Sequence, residues 1–85
     1  MSRSRCVVGR VARVFGIRGE LVCEPGAFGA GPFAPNQRLW LVTEDATQPF
    51  EIVAVRPHRG AVRVGLAGIA TPEAAAPLVG ARIEA

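Results

Sequence analysis

The chain has 85 residues, a formal net charge of +3, 49% hydrophobic residues, and five aromatics with no tyrosine. One domain of this size hides only about 60% of its unfolded surface, so a closed sheet without open edges, filled mainly by Val, Leu, Ile and Ala, is the expected solution. No apolar run approaches the ~18 residues that span a bilayer, and none follows the arginines of "MSRSRCVVGR", which leads to the expectation of a soluble, cytoplasmic protein with no signal peptide and no membrane partner; a monomer is expected as well.

From Cys6 to Phe15, "CVVGRVARVF" is rich in valine and reads as a strand, with a bulge or bend expected at Gly9. Two glycines at 16 and 19 mark a turn. "ELVCEP", residues 20 to 25, then alternates, with Leu21 and Cys23 on one face and Glu20, Val22 and Glu24 on the other, until Pro25 removes a ladder donor. Residues 26 to 37, "GAFGAGPFAPNQ", form a loop pinned to the body by Phe28 or Phe33. "RLWLV" follows as a strand with Leu39 and Leu41 on one face and Trp40 and Val42 on the other. After the polar turn "TEDATQ", the strand "PFEIVAVR" carries apolar residues on both faces, as expected where one closes a core and the other is partly covered. "PHRG", residues 57 to 60, is a turn in which Gly60 can take a positive φ. "AVRVGLAG" has the clearest period of two, with Val62, Val64 and Leu66 inward. In "TPEAAAPLVG", Thr71 is a good N-cap, Pro72 fits the first helical position and Gly80 a stop, which predicts a helix of about two turns shortened by Pro77. "ARIEA" returns to strand. Six strands and one short helix make an all-β, compact barrel.

Two cysteines and one histidine cannot build a structural zinc site, so no metal or cofactor is expected. With the first two strands paired around residues 16 to 19, Cys23 lies opposite roughly Ala12 and Cys6 falls out of reach, so two free, partly buried thiols are expected over a disulfide. All ten basic residues are arginine, and five of them stand in residues 1 to 19 with no acid among them; the other five face seven acids. The positive charge thus gathers on the first strand and its turn, where it could attract RNA or an acidic protein surface, or only solubilise that face. His58 has no Ser, Cys or carboxylate that spacing places beside it, and a solvated turn histidine is the simpler reading than a general base. Glu20 and Glu24 share a face near the arginines, where ion pairing is the simpler role. "GIRG" resembles a phosphate-holding glycine loop but opens onto a strand, whereas such loops feed a helix N-terminus. Trp40 and four scattered phenylalanines do not interleave with the arginines as a stacking RNA reader would. No catalytic constellation emerges.

Taken in order, "VVGRVARVFGIRGELVCEP", "FAPNQRLWLV" and "VRPHRGAVRVGLAGIATPEAAAPLVGARI" resemble the N-terminal domain of the bacterial ribosome maturation factor RimM. The combination of "GIRGE", "RPHRG" and the closing "GIATPEAAAPLVGARI" carries the resemblance. It implies a six-stranded antiparallel barrel of the translation-factor type and a non-catalytic assembly role: binding to the immature small ribosomal subunit, engagement of a ribosomal protein of its head, and help with rRNA folding and processing. It also implies that this chain is a single domain, residues 1–85, without the second, PRC-type barrel of the family. The family's first-turn residues correspond to Gly16, Arg18, Gly19 and Glu20, and its second turn to His58 and Gly60, with Arg59 at a usually basic position. Phe15 stands where the family commonly has histidine, so contact is expected there and no proton chemistry. The glycine-rich loop at 26 to 32 replaces common acids.

The candidate partner-binding surface therefore comprises Arg13, Phe15, Gly16, Ile17, Arg18, Gly19 and Glu20 around the first turn, with His58, Arg59 and Gly60 at the second. The expected partner is a small-subunit precursor, through a head protein or rRNA. Two alternatives stand beside it: an RNA-binding barrel held by arginine–phosphate contacts, and a structural domain that supports recognition by another part of the protein.

Overall fold

The computed structural model describes residues 4–85. Six strands, β1 (Val7–Phe15), β2 (Glu20–Pro25), β3 (Arg38–Val42), β4 (Thr47–His58), β5 (Ala61–Leu66) and β6 (Arg82–Glu84), close an antiparallel barrel in the order β1-β2-β5-β4-β3-β6. Closure pairs every strand on both sides and removes the edges that a small sheet would otherwise expose. Inside lie Val8, Val11, Leu21, Cys23, Leu39, Leu41, Ile52, Val62, Val64, Leu66 and Ile83. The alternation of β3 and β5 is as the sequence predicts.

Both barrel ends are plugged. The helix α1 (Pro72–Ala75) runs into a 3-10 turn, Ala76–Leu78, and its cap is Thr71, whose hydroxyl accepts from the Ala74 amide at 3.1 Å. Ala75 and Leu78 reach the core. At the other end Phe33 enters the core from the 26–37 loop, while Phe28 is 60% exposed, so of the two rings Phe33 is the one that pins the loop. Gly9 is the bend that admits it: a Cβ there would stand 3.1 Å from the Phe33 ring and 2.5 Å from the Glu24 carbonyl oxygen.

Several expectations change. Val22, assigned by period to the outer face, is 1% exposed. It does lie outside the core cluster, but pairing sets Arg13 on one side of it and Arg63 on the other, and long arginine stems can withdraw a sheet-surface valine from water. Cys6 is exposed rather than partly buried; Cys23 is buried, and both are free. Thr47, Gln48, Pro57 and His58 belong to β4, which leaves only Arg59 and Gly60 for the second turn. The mixed faces of β4 have a sharper cause than partial cover. Ile52 and Val55, three residues apart, pair with the inward Leu66 and Val64, because a bulge at Val53 and Ala54 reverses the parity of the strand. In β1 a second bulge, around Ala12, does the same between Val11, opposite Cys23, and Val14, opposite Leu21.

Candidate functional site

The first turn is set by Gly16 and Gly19, at φ 73° and 71°, a region costly for residues with a Cβ. Gly19 is needed twice over, because any Cβ on it would run into the backbone of Thr71. The turn is thus clamped to the helix cap, and its tip holds out Ile17, 88% exposed, with Arg18 beside it. The second turn is a two-residue hairpin with positive φ at both Arg59 and Gly60, the geometry that matches strand twist.

These turns do not form one tip. Leu21 pairs with Val64 and Cys23 with Val62, so the first turn projects beyond the Leu66 end of β5 and the second precedes its Ala61 end. Arg59 and Gly60 are therefore separated from Ile17 and Arg18 by the length of the barrel wall. The remaining residues converge on the outside of that wall. Arg13 Nη2 lies 3.2 Å from His58 Nε2, and because a guanidinium only donates, the imidazole nitrogen accepts. The Phe15 and His58 rings meet edge to face, with centroids 5.1 Å apart at 70°. Histidine 58 is a half-buried strand residue with partners, not a solvated turn residue.

Sequence reasoning missed the residue at the centre. The Arg63 guanidinium lies over the Phe15 ring with its carbon 4.5 Å from the centroid, and its Nε is 3.0 Å from Glu20 Oε1. That ion pair is poorly aligned, so the buried Nε–H forms no proper hydrogen bond. Glu20 accordingly pairs with Arg63, and Glu24 with Arg10 at 3.0 Å. The outward position of residue 63 in a strand of period two was the available signal.

The bulges explain the convergence. Strict alternation from Val11 would turn Arg13 inward, and from Ile52 it would turn Arg56 and His58 inward; each bulge sends these side chains out and Val14 and Val55 toward the core. One cross-strand row then reads Arg13, Val22, Arg63, Arg56. Among the described residues, β1, β2, β5, the C-terminal part of β4 and their two turns hold six of nine arginines and only two of seven acids, Glu20 and Glu24, both already paired. The positive region seen in the N-terminal sequence is thus extended in space by Arg56, Arg59 and Arg63. The rest of the described residues hold three arginines and five acids, and there Glu84 receives Arg5 at 3.0 Å and Arg82 at 2.9 Å, hydrogen bonds that hold its carboxyl below its ordinary pKa. Burial pushes the Cys23 thiol up to about 12, so it is no nucleophile near neutrality. The wall offers cations, ring edges and donors, which is the chemistry of docking.

The model of the RimM N-terminal domain family matches residues 6–85. The chain belongs to this family. It is 36% identical over 81 residues to the ribosome maturation factor RimM of Cereibacter sphaeroides, covering 95% of this chain and 47% of that protein. It therefore spans about half the length of that curated relative. The fold is similar to a RimM protein of Pseudomonas aeruginosa assigned to 16S ribosomal RNA processing, with a TM-score of 0.77 at 24% identity over 96% of this chain and 50% of the other. It is similar also to the solution structure of the N-terminal domain of RimM from Thermus thermophilus, with a TM-score of 0.78 at 19% identity, covering 98% and 89%. The relative from Cereibacter sphaeroides is named a ribosome maturation factor, and the two solved structures show the fold.

Proposed function

We propose that this domain is a non-catalytic binding module of a cytoplasmic ribosome maturation factor, monomeric, that docks on the immature small ribosomal subunit and supports maturation of its head and processing of its rRNA. The contact is assigned to the wall bearing Arg13, Phe15, Arg56, His58 and Arg63, with Ile17 and Arg18 at one end and Arg59 at the other. The observation that carries the reading is the gathering of six arginines against two already paired acids on one side of a RimM-family barrel. Since the chain spans half of its relative, the whole protein's activity and its head-protein partner belong to the proposal. Co-sedimentation with immature small subunits tests it. Arg13→Ala combined with Arg56→Ala weakens binding, and equal binding by variant and parent removes this wall from the site.

A second reading is favoured by the row Arg13, Arg63, Arg56, which suits successive phosphates of an RNA strand. It requires affinity for rRNA fragments that falls steeply with salt and shows little sequence preference. Binding undetectable at low salt would leave the protein-mediated reading alone.

A further inference from the structure

Beside the first turn, the outer surface of the barrel opens into a groove of about 390 Å3 between β4, β5 and the segment after Leu66. Its walls include Val53, Ala54, Gly65, Ala67 and Ile69, and Arg18 stands on its rim. Val53, outward by alternation from the buried Ile52, is 58% exposed, the β4 bulge turns Ala54 outward beside it, and the nearby tip residue Ile17 is 88% exposed. One large aliphatic side chain, Val53, is thus held in water on the wall of an apolar hollow, and a second, Ile17, stands next to the rim residue Arg18. Arg18 forms no ion pair with any described residue, whereas Glu20, also on the rim, is engaged by Arg63.

Gly65 deepens the hollow. Its φ is ordinary, and a Cβ would stand 3.6 Å from Ala54 Cβ and Val53 Cγ2 and 3.8 Å from Glu20 Oε2, all normal contacts. No positive φ and no close contact calls for a glycine there, although it faces the β4 bulge at Val53 and Ala54. Glycine within a strand weakens it and marks a bulge, a tight bend or the close approach of another group; here it sits opposite the bulge and leaves the sheet surface bare above it. Opposite it, Ala54 adds only a methyl, so the floor of the groove is shallow.

We propose that this groove seats a protein segment of the small-subunit precursor in which an aliphatic or aromatic side chain fills the hollow over Gly65 while a neighbouring carboxylate pairs with Arg18. The inference rests on the subunit-binding reading above and names the chemistry of one contact within it. A protein segment suits the groove better than RNA, because no aromatic ring lines it for base stacking and a single cation is a poor phosphate track.

The test places the photo-crosslinking residue p-benzoylphenylalanine at position 17 of the 85-residue chain and irradiates it with purified immature small subunits. The expected product is an adduct with one ribosomal protein, whose crosslinked peptide, mapped by mass spectrometry, carries an apolar residue beside Asp or Glu. Yield per bound domain falls about tenfold with Gly65→Val, which fills the hollow, and with Arg18→Glu, which leaves the core untouched and guards against misfolding in the first variant. Adducts on rRNA, no adduct, a peptide lacking the acid, or yields unchanged in both variants overturn the groove assignment while co-sedimentation keeps the broader reading intact. If the parent chain does not co-sediment at all, both fall together.

Discussion

Gly16 and Gly19 have nearly the same backbone angle, φ 73° and 71°, yet very different surroundings. Around Gly16 there is open space within 4 Å of an added Cβ; at Gly19 the Cβ would overlap the Thr71 backbone. Alanine at either position bears the left-handed penalty of roughly 1–2 kcal/mol. At Gly19 it must also push away the residue whose hydroxyl caps α1 and whose carbonyl accepts the Ala75 amide at 3.1 Å. Losing such a cap costs about 1 kcal/mol, and displacing Ala75 and Leu78 from the barrel end adds an overpacking cost of about 1–3 kcal/mol. Gly19→Ala is therefore expected to lose about 3–6 kcal/mol, against a total stability of roughly 5–15 kcal/mol for a small domain, and Gly16→Ala only the first 1–2 kcal/mol. Urea unfolding of both variants, followed by circular dichroism and by Trp40 fluorescence, measures the two losses; unchanged m-values certify that the difference is one of stability. Equal losses would refute the steric clamp and reduce both glycines to turn formers. A clamp also predicts that Gly19→Ala weakens subunit binding more than its unfolded fraction explains, since Ile17 and Arg18 are aimed by that contact.

A thiol reagent at neutral pH should modify Cys6 quickly and Cys23 only at the rate of unfolding, and two fast thiols would contradict the packing of β2. Because burial raises the Cys23 thiol from 9.0 to about 12, its contribution to stability is complete below about pH 9 and is lost as pH climbs toward 12, with a slope of at most about 1.4 kcal/mol per pH unit; Cys23→Ala should flatten that alkaline limb in a pH series of denaturation curves. Glu84 works in the opposite direction: its lowered carboxyl stabilises above the ordinary carboxylate range and that contribution disappears as pH falls through the lowered value, so Glu84→Gln should remove part of the acid limb at low salt. Arg63→Lys keeps the charge near Glu20 but loses the planar stack on Phe15, and should cost about 1 kcal/mol in thermal or urea unfolding; no change would show that the stack is incidental.

The barrel was legible because its inward residues obey a simple period wherever the strand is regular. Val62, Val64 and Leu66 in β5 and Leu39 and Leu41 in β3 are the plain cases, and Thr71, Pro72 and Gly80 located the helical segment by local chemistry alone. Legibility ended where the answer depended on a partner distant in sequence. Val22 reads as a surface residue until Arg13 and Arg63 are known to flank it. Phe28 and Phe33 are equivalent by composition, and only the approach to Gly9 separates them. The two turns look like one constellation along the chain, but the β2–β5 register sends them to opposite ends.

The outer wall owes its composition to a conflict between period and polarity. In β1 an arginine stands two residues after the buried Val11, and in β4 another stands four residues after the buried Ile52; unbroken alternation would drive both guanidiniums into an apolar barrel. Burying an unpaired charge costs more than interrupting one ladder, so each strand bulges, at Ala12 and at Val53 and Ala54. The same two irregularities carry Phe15 and His58 outward with their neighbours, and twist the wall enough for residues 45 apart in sequence, Arg13 and His58, to meet at 3.2 Å. The β4 bulge also turns Ala54 onto the outer face beside the outward Val53, and both line the groove beside Arg18. The charged residues of β1 and β4 thus account for these two bulges, and the bulges in turn build the arginine-rich wall proposed for docking and shape the hollow next to it.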